Sequence, residues 1–151
     1  MASVHSAGIL LYRDGVVGRE VWIAHMGGPY WARKEDHAWS IPKGEYLDDE
    51  DPFDAARREF VEETGIPAPS LAYRHLGVYR YSSGKLLTVF AAEAPDFDPA
   101  NIASNTFDLE WPPRSGRMQS FPELDRAAWV TREEARRILV SAQAAMLDDL
   151  M

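Results

Sequence analysis

The chain has 151 residues, of which 46% are hydrophobic and 11% aromatic, enough for one core and too short for two ordinary domains. Sixteen Lys and Arg against 24 Asp and Glu give a net charge of -8, which excludes a broad basic face for nucleic acid. A polyanion would have to bind locally or through a bridging cation. There is no cysteine, which removes disulfide scaffolds, thiolate zinc, iron–sulfur centres and cysteine nucleophiles and suits a cytoplasmic location. Residues 1–5 lack the basic-then-apolar pattern of a secretory leader. No apolar run has the length of a membrane span.

In chain order, residues 7–12 (AGILLY) read as a buried strand, Arg13, Asp14 and Gly15 as a turn, and 20–24 (EVWIA) as the return strand. Residues 25–38 are loop-like, punctuated by Gly27, Gly28 and Pro29. Trp39 to Pro42 is a short extended piece, because a residue before proline avoids the helical region. Asp51 and Pro52 open a helix as N-cap and first helical residue. Phe53, Ala56 and Phe60 continue it at helical spacing, and Gly65 closes it. Residues 71–81 and 86–92 are two strands that pair across Ser82, Ser83 and Gly84. A strand at 127–130 leads into a last helix capped by Thr131 and Glu134. Residues 94–122 hold five prolines and little periodicity, and read as a long loop. Together these elements predict one α/β domain with a mixed sheet.

Chemistry concentrates at 44–66, GEYLDDEDPFDAARREFVEETGI. Glu59, Glu62 and Glu63 stand at i, i+3 and i+4, on adjoining rows of one helix face. Carboxylates that close repel each other and lower stability unless something positive joins them. The apolar stripe of Phe53, Ala56 and Phe60 lies beside them, so the acids face a groove next to the core. Oxygen donors without sulfur select Mg²⁺, Mn²⁺ or Ca²⁺. Glu50 can join the cluster from the preceding loop. A solvated acidic face paired with Arg57 and Arg58 is the bland alternative.

The spacing decides between them. Gly44, Glu50, Arg58, Glu59, Phe60, Glu62, Glu63, Gly65 and Ile66 fill every defined position of G-x5-E-x7-R-E-U-x-E-E-x-G-U, with U apolar. From average residue usage, a chance match in such a chain is on the order of 10⁻⁸. The segment thus resembles the signature of the Nudix hydrolases. That resemblance implies an α/β/α sandwich over residues 1–151 and hydrolysis of a nucleoside diphosphate linked to another moiety, with Mg²⁺ or Mn²⁺ as cofactor. It implies that Glu59, Glu62 and Glu63 bind metal, with one of them a candidate to double as base. It further implies that Arg58 orients a glutamate, that Gly44 offers its carbonyl to metal, and that Glu50 is a supporting acid.

Outside that segment, Trp39 and Lys43 lie in the run WSIPKGE that enters it and are both candidate substrate contacts. Lys43 can hold a phosphate as a point charge, and a lysine there is similar to the diadenosine polyphosphate and inositol-pyrophosphate branches. Trp111, Arg114 and Arg117 offer a base-stacking plane and two guanidinium forks. Glu123 is the expected extra metal ligand, by similarity to the dNTP-cleaning branch, with Glu93 and Glu110 as rivals. His25, His37 and His75 share no ligand spacing. The expectation is therefore a pyrophosphohydrolase, monomeric or homodimeric, acting on a small nucleotide. The first candidate substrate is a dinucleoside polyphosphate such as diadenosine tetraphosphate, ahead of an NTP or dNTP, a nucleotide sugar, ADP-ribose or capped RNA. A nucleotide-sensing module without catalysis is the alternative of another class.

Overall fold

The computed structural model describes residues 4–150; the sequence reading of residues 1–3 falls outside them. Strands β1 (His5–Gly15) and β2 (Gly18–Met26) form an antiparallel hairpin. Its turn is Val16 and Val17 rather than Arg13 to Gly15. The Asp-Gly pair is drawn into the ladder by two cross-strand ion pairs, Arg13–Glu20 at 2.7 Å and Asp14–Arg19 at 3.1 Å.

Strands β3 (Trp39–Ser40) and β4 (Lys43–Tyr46) sit where β1 and β2 splay apart. The register shows this. β6 (Leu86–Glu93) runs parallel along one edge of β1 from His5 to Tyr12, so β4, paired with His5 to Gly8, shares the other edge with β2. Likewise β9 (Leu124–Thr131) covers the outer edge of β2, leaving β3 on the inner one. β5 (Arg74–Arg80) pairs antiparallel with β6 across the turn at Ser82 to Gly84 and ends the sheet.

Helix α1 (Pro52–Thr64) begins at Asp51, whose carboxylate accepts the N–H groups of Phe53 and Asp54 at 3.1 and 3.0 Å. It ends at Gly65 in the left-handed region, φ 73°. Helices α2 (Arg132–Ile138) and α3 (Ser141–Ala144) and a 3₁₀ turn at Ala145–Leu147 follow β9. Thr131 caps α2 by accepting the Glu134 N–H at 3.2 Å, while the Glu134 carboxylate turns to Arg137 instead of back to the cap.

Strand alternation sorts the core into two layers. Ala7, Ile9 and Leu11 face α1 and pack with Trp22, Ala55, Ala56 and Phe60. Leu10 faces the other way, with Val21, Ile23, Leu87 and Val89 against Ile138, Leu139, Met146 and Leu147. Both faces of β1 are covered, which is why residues 7–11 read as a continuous apolar run. The result is the expected α/β/α sandwich. Among the described residues no helix is long and apolar enough to cross a membrane.

The stretch at 94–122 departs from a plain loop. Strands β7 (Thr106–Glu110) and β8 (Met118–Pro122) form a separate antiparallel ribbon. Its side chains are exposed or only half-buried; Phe107 and Leu109 alternate with polar residues along β7, but β8 has no such period and prolines flank it, so the stretch reads as a loop.

Candidate active site

The helix carrying the acids is fixed to the sheet before any of them can act. Phe60 is fully buried, its ring 5.8 Å from Trp22 and 6.1 Å from Phe97. That anchor turns the opposite edge of α1 toward β4. Gly44 meets it there, so closely that a Cβ on Gly44 would overlap the Glu59 carboxylate. The glycine is required by close approach, and the carboxylate lies against backbone.

Arg58 ties the row together. Its guanidinium donates two bonds to Glu50, from Nε and NH2 at 2.9 Å each, and one from NH1 to Glu59 at 2.8 Å. Glu62 stands 3.5 Å from NH1. The Arg58 hydrogen bond holds Glu50 below its ordinary carboxylate range, and Glu50 in turn raises Arg58. Glu59 is pushed up by burial despite its bond to Arg58. Glu63 is pushed up to about 8, first by burial, then by Glu123, Glu59 and Glu62, with Lys43 acting against them.

The end of α1 also organises a segment that carries no sequence motif. A Cβ on Gly65 would stand 2.7 Å from the carbonyl oxygen of Ala103. This approach lets residues 103–105 dock on the last turn of the helix. Ala103 N–H donates to the Thr64 carbonyl at 2.8 Å and Asn105 N–H to the Glu62 carbonyl at 2.7 Å. The Glu123 N–H then donates to the Asn105 carbonyl at 2.9 Å, and the Glu123 carbonyl accepts from Gly27 N–H at 2.9 Å. Asn105 is the functional candidate that sequence reasoning missed. Its carboxamide satisfies its neighbours when the NH2 faces Glu63 Oε2 and the Glu62 carbonyl, 3.2 Å each.

These elements enclose a cleft of about 320 Å³, lined by Ser6, Lys43, Gly44, Glu45, Glu59, Glu62, Glu63, Lys85, Asn105 and Glu123. Five carboxylates thus face two lysines. Glu62 and Glu63 also lie in the last turn of α1, which has no basic residue, where the helix dipole disfavours negative charge. The donor set is all oxygen and short of positive charge, which fits a hard divalent cation held by Glu59, Glu62, Glu63 and Glu123. Among the described residues no three acidic or histidine side chains already converge on a single point; they line an open cleft. A second hollow of about 310 Å³ lies at Val4, His5 and 45–48, but it has only two carboxylates and no lysine.

The structure brings Glu59, Glu62, Glu63, Glu123, Gly44 and Lys43 to one cleft, with Arg58 and Glu50 behind the acids. Other expected residues lie elsewhere. Trp39 is 5% exposed, between His25 at 5.5 Å and the Arg126 guanidinium at 5.2 Å. Its burial withdraws it from contact with substrate. Trp111, Arg114 and Arg117 occupy the tip of the β7–β8 ribbon and do not line the cleft. Trp111 meets Tyr30 edge-to-face at 5.3 Å. Glu110 accepts the Arg114 and Gly116 N–H groups at 3.2 and 3.1 Å, bracing that tip. Glu93 ends β6, paired with Tyr12 away from the cleft. His25 is fully buried, with Nδ1 2.9 Å from Asp125 and Nε2 2.7 Å from the Lys34 carbonyl.

A family model described as NUDIX domain matches residues 3–150. An RNA pyrophosphohydrolase of Bartonella henselae is 57% identical over 64 residues, 40% of this chain and 35% of that protein. An uncharacterized 17.7 kDa protein of Enterobacteria phage T4 is 37% identical over 93 residues, 60% of this chain and 59% of that protein. The chain therefore spans less than two thirds of the length of either relative. Among solved structures, a C. elegans Ap4A hydrolase in a binary complex superposes with a TM-score of 0.68 at 21% identity, covering 96% of this chain and 94% of that one. At that identity the likeness speaks for the fold.

Proposed function

This chain belongs to the Nudix hydrolase family, and from that premise we infer that it is a metal-dependent pyrophosphohydrolase cleaving a phosphoanhydride bond of a nucleoside polyphosphate. The observation that carries this reading is the cleft itself, where the complete acidic row of α1 meets Glu123 and two lysines. Family members generally use divalent metal ions. Glu59, Glu62, Glu63 and Glu123 would hold Mg²⁺ or Mn²⁺ here, and Gly44 has its backbone against the Glu59 carboxylate. Such an ion would supply charge neutralisation of the phosphates and a more acidic water.

The chain's own residues do the rest. Arg58 keeps Glu59 and Glu50 in place through one planar fork, which a point charge would not do. Asn105 fixes Glu63 and ties Glu123 to α1. Burial raises the proton affinity of Glu63 in the cation-free protein, and a bound cation would compete with that proton. Lys43 offers a positive charge to the phosphate chain.

For the substrate we favour a dinucleoside polyphosphate such as diadenosine tetraphosphate. The support is Lys43 and the ribbon, rooted at the cleft through Asn105 and Glu123. Its tip, about 16 Å along the strands from that root, carries Trp111, Arg114 and Arg117, which in this reading would reach the far end of a long ligand. The test is product analysis over diadenosine tetraphosphate, ATP, oxidised dGTP, ADP-ribose, UDP-glucose and a triphosphate-ended RNA, with Mg²⁺, Mn²⁺ or chelator. Chelator-sensitive release of ATP and AMP from the dinucleotide supports the whole reading. Turnover of another panel member replaces the substrate and keeps the chemistry. Binding without turnover across the panel contradicts it.

A further inference from the structure

His25 is fully buried and does not line the cleft, yet both of its ring nitrogens are engaged. Nδ1 lies 2.9 Å from Oδ1 and 3.2 Å from Oδ2 of Asp125, and Nε2 lies 2.7 Å from the Lys34 carbonyl oxygen. The Trp39 ring packs edge-on against the imidazole at 5.5 Å. A ring held on both edges inside the core fixes the residue it holds at the surface, and Asp125 is that residue.

Asp125 is an irregularity in the β2–β9 ladder. His25 pairs with Arg126 and Met26 with Leu124, so Asp125 is an extra residue in β9. It makes a β-bulge, in which two residues oppose one. An unbroken ladder would set Met26 opposite Asp125 and Gly27 opposite Leu124. Instead, the Gly27 N–H donates to the Glu123 carbonyl at 2.9 Å. A shift of one residue exchanges the two faces of a strand. Without the bulge, Leu124 would take the place that Glu123 holds at the cleft, and Glu123 would turn to the face where Leu124 is now buried. Gly27 permits the arrangement, since a Cβ there would overlap the Pro122 carbonyl oxygen.

We propose that His25 is a positioning residue: by holding Asp125 it fixes the bulge that aims the Glu123 carboxylate into the cleft. The proposal rests on the reading of Glu123 as a metal ligand. Of the acids assigned to the cation, Glu123 is the one that α1 does not carry. Repulsion from Glu59, Glu62 and Glu63 favours its withdrawal while no cation is bound. Backbone bonds from Asn105 and Gly27 hold its main chain, but the bulge decides which way its side chain faces. An anchor in the core keeps that direction without entering the cleft.

The test is calorimetric titration of the cation-free protein with Mn²⁺. Wild type is compared with Asp125→Ala, Asp125→Asn, Glu123→Gln and the double variant Asp125→Ala/Glu123→Gln, with a melt of each. Asp125 is the residue to change because its side chain is 31% exposed, so its loss spares the core that His25 fills. Asp125→Ala should weaken Mn²⁺ binding about tenfold, as for groups that orient metal ligands, and Glu123→Gln should weaken it at least as much. The double variant should bind no more weakly than Glu123→Gln, because the anchor acts only through that carboxylate. Asp125→Asn keeps an oxygen for His25 Nδ1 and should recover most of the affinity. Wild-type affinity in Asp125→Ala beside a weakened Glu123→Gln would overturn the positioning role and leave Glu123 a ligand. Losses that add in the double variant would also overturn it, since a merely structural effect has that signature. Equal losses in Asp125→Asn and Asp125→Ala would place the anchor in the ion pair with Arg126, 3.5 Å away, and overturn the role of His25. Wild-type affinity in Glu123→Gln would instead refute the metal assignment on which the proposal rests.

Discussion

The carboxylate of Glu59 occupies the space that a side chain on Gly44 would need. The glycine that opens the segment at 44–66 and the first glutamate of the helix are therefore one fitted contact, made across β4 and α1. Gly44→Ala should leave the fold intact and displace Glu59. A misplacement near 1 Å costs about 10²-fold in rate, so kcat/KM should fall by about that factor. Wild-type turnover in Gly44→Ala would show that Glu59 does not need its position.

Arg58 spans Glu50 and Glu59 with separate nitrogens. Lysine keeps the charge but cannot bridge both. Arg58→Lys is expected to lower kcat about tenfold or more, with little change in melting temperature, since exposed ion pairs contribute about 0–1 kcal/mol. Steady-state kinetics with paired melts checks this. A large loss of stability with normal kcat per folded molecule would make Arg58 a structural residue.

Glu63 gives the cation-free protein a distinctive pH dependence. Its folded value is raised from an ordinary 4.5 to about 8 by burial and by Glu123, Glu59 and Glu62, against Lys43. Between those values the folded protein holds a proton that the unfolded chain has lost. The stability contribution is full below 4.5 and disappears as pH rises through about 8. With chelator present, melting temperature should decline across that window, and Glu63→Gln should flatten the decline. Mg²⁺ should raise the wild-type melting point most at the alkaline end. A melting curve insensitive to both would contradict the placement of Glu63.

Asn105 joins the acidic helix to Glu123 by backbone and faces Glu63 with its carboxamide. Asn105→Ala removes the side-chain contact and spares the backbone bonds. Activity should fall about tenfold, in line with loss of a hydrogen bond to a charged group, while Asn105→Gln should recover part of it. Equal rates in all three proteins would remove Asn105 from the site.

The legible part of this molecule is the part whose signals are local. Asp51, Pro52, Phe60 and Gly65 announce α1 by capping and period alone, and the acids follow from their spacing on it. The buried run at 7–11 announces β1. The hairpin turn was read three residues early because Asp14 and Gly15 carry turn chemistry, whereas two valines, 103% and 80% exposed, make the turn. The ribbon of β7 and β8 is hidden because its one alternating strand is five residues long, its partner has no period and neither face is fully buried. Trp39 was expected at the substrate because it precedes Lys43, yet β3 pairs with β2 and points it into the core. Asn105 could not be found from sequence, since its role comes from docking on Gly65, some forty residues away.

The most direct measurement is turnover of diadenosine tetraphosphate by wild type and by Glu63→Gln, side by side, with Mg²⁺ and with chelator. The account predicts chelator-sensitive release of ATP and AMP by wild type, and loss of at least about 10²-fold in the variant with its fold retained. Turnover that persists in chelator, or that survives Glu63→Gln, would contradict the assignment of this cleft as a metal-dependent hydrolytic site.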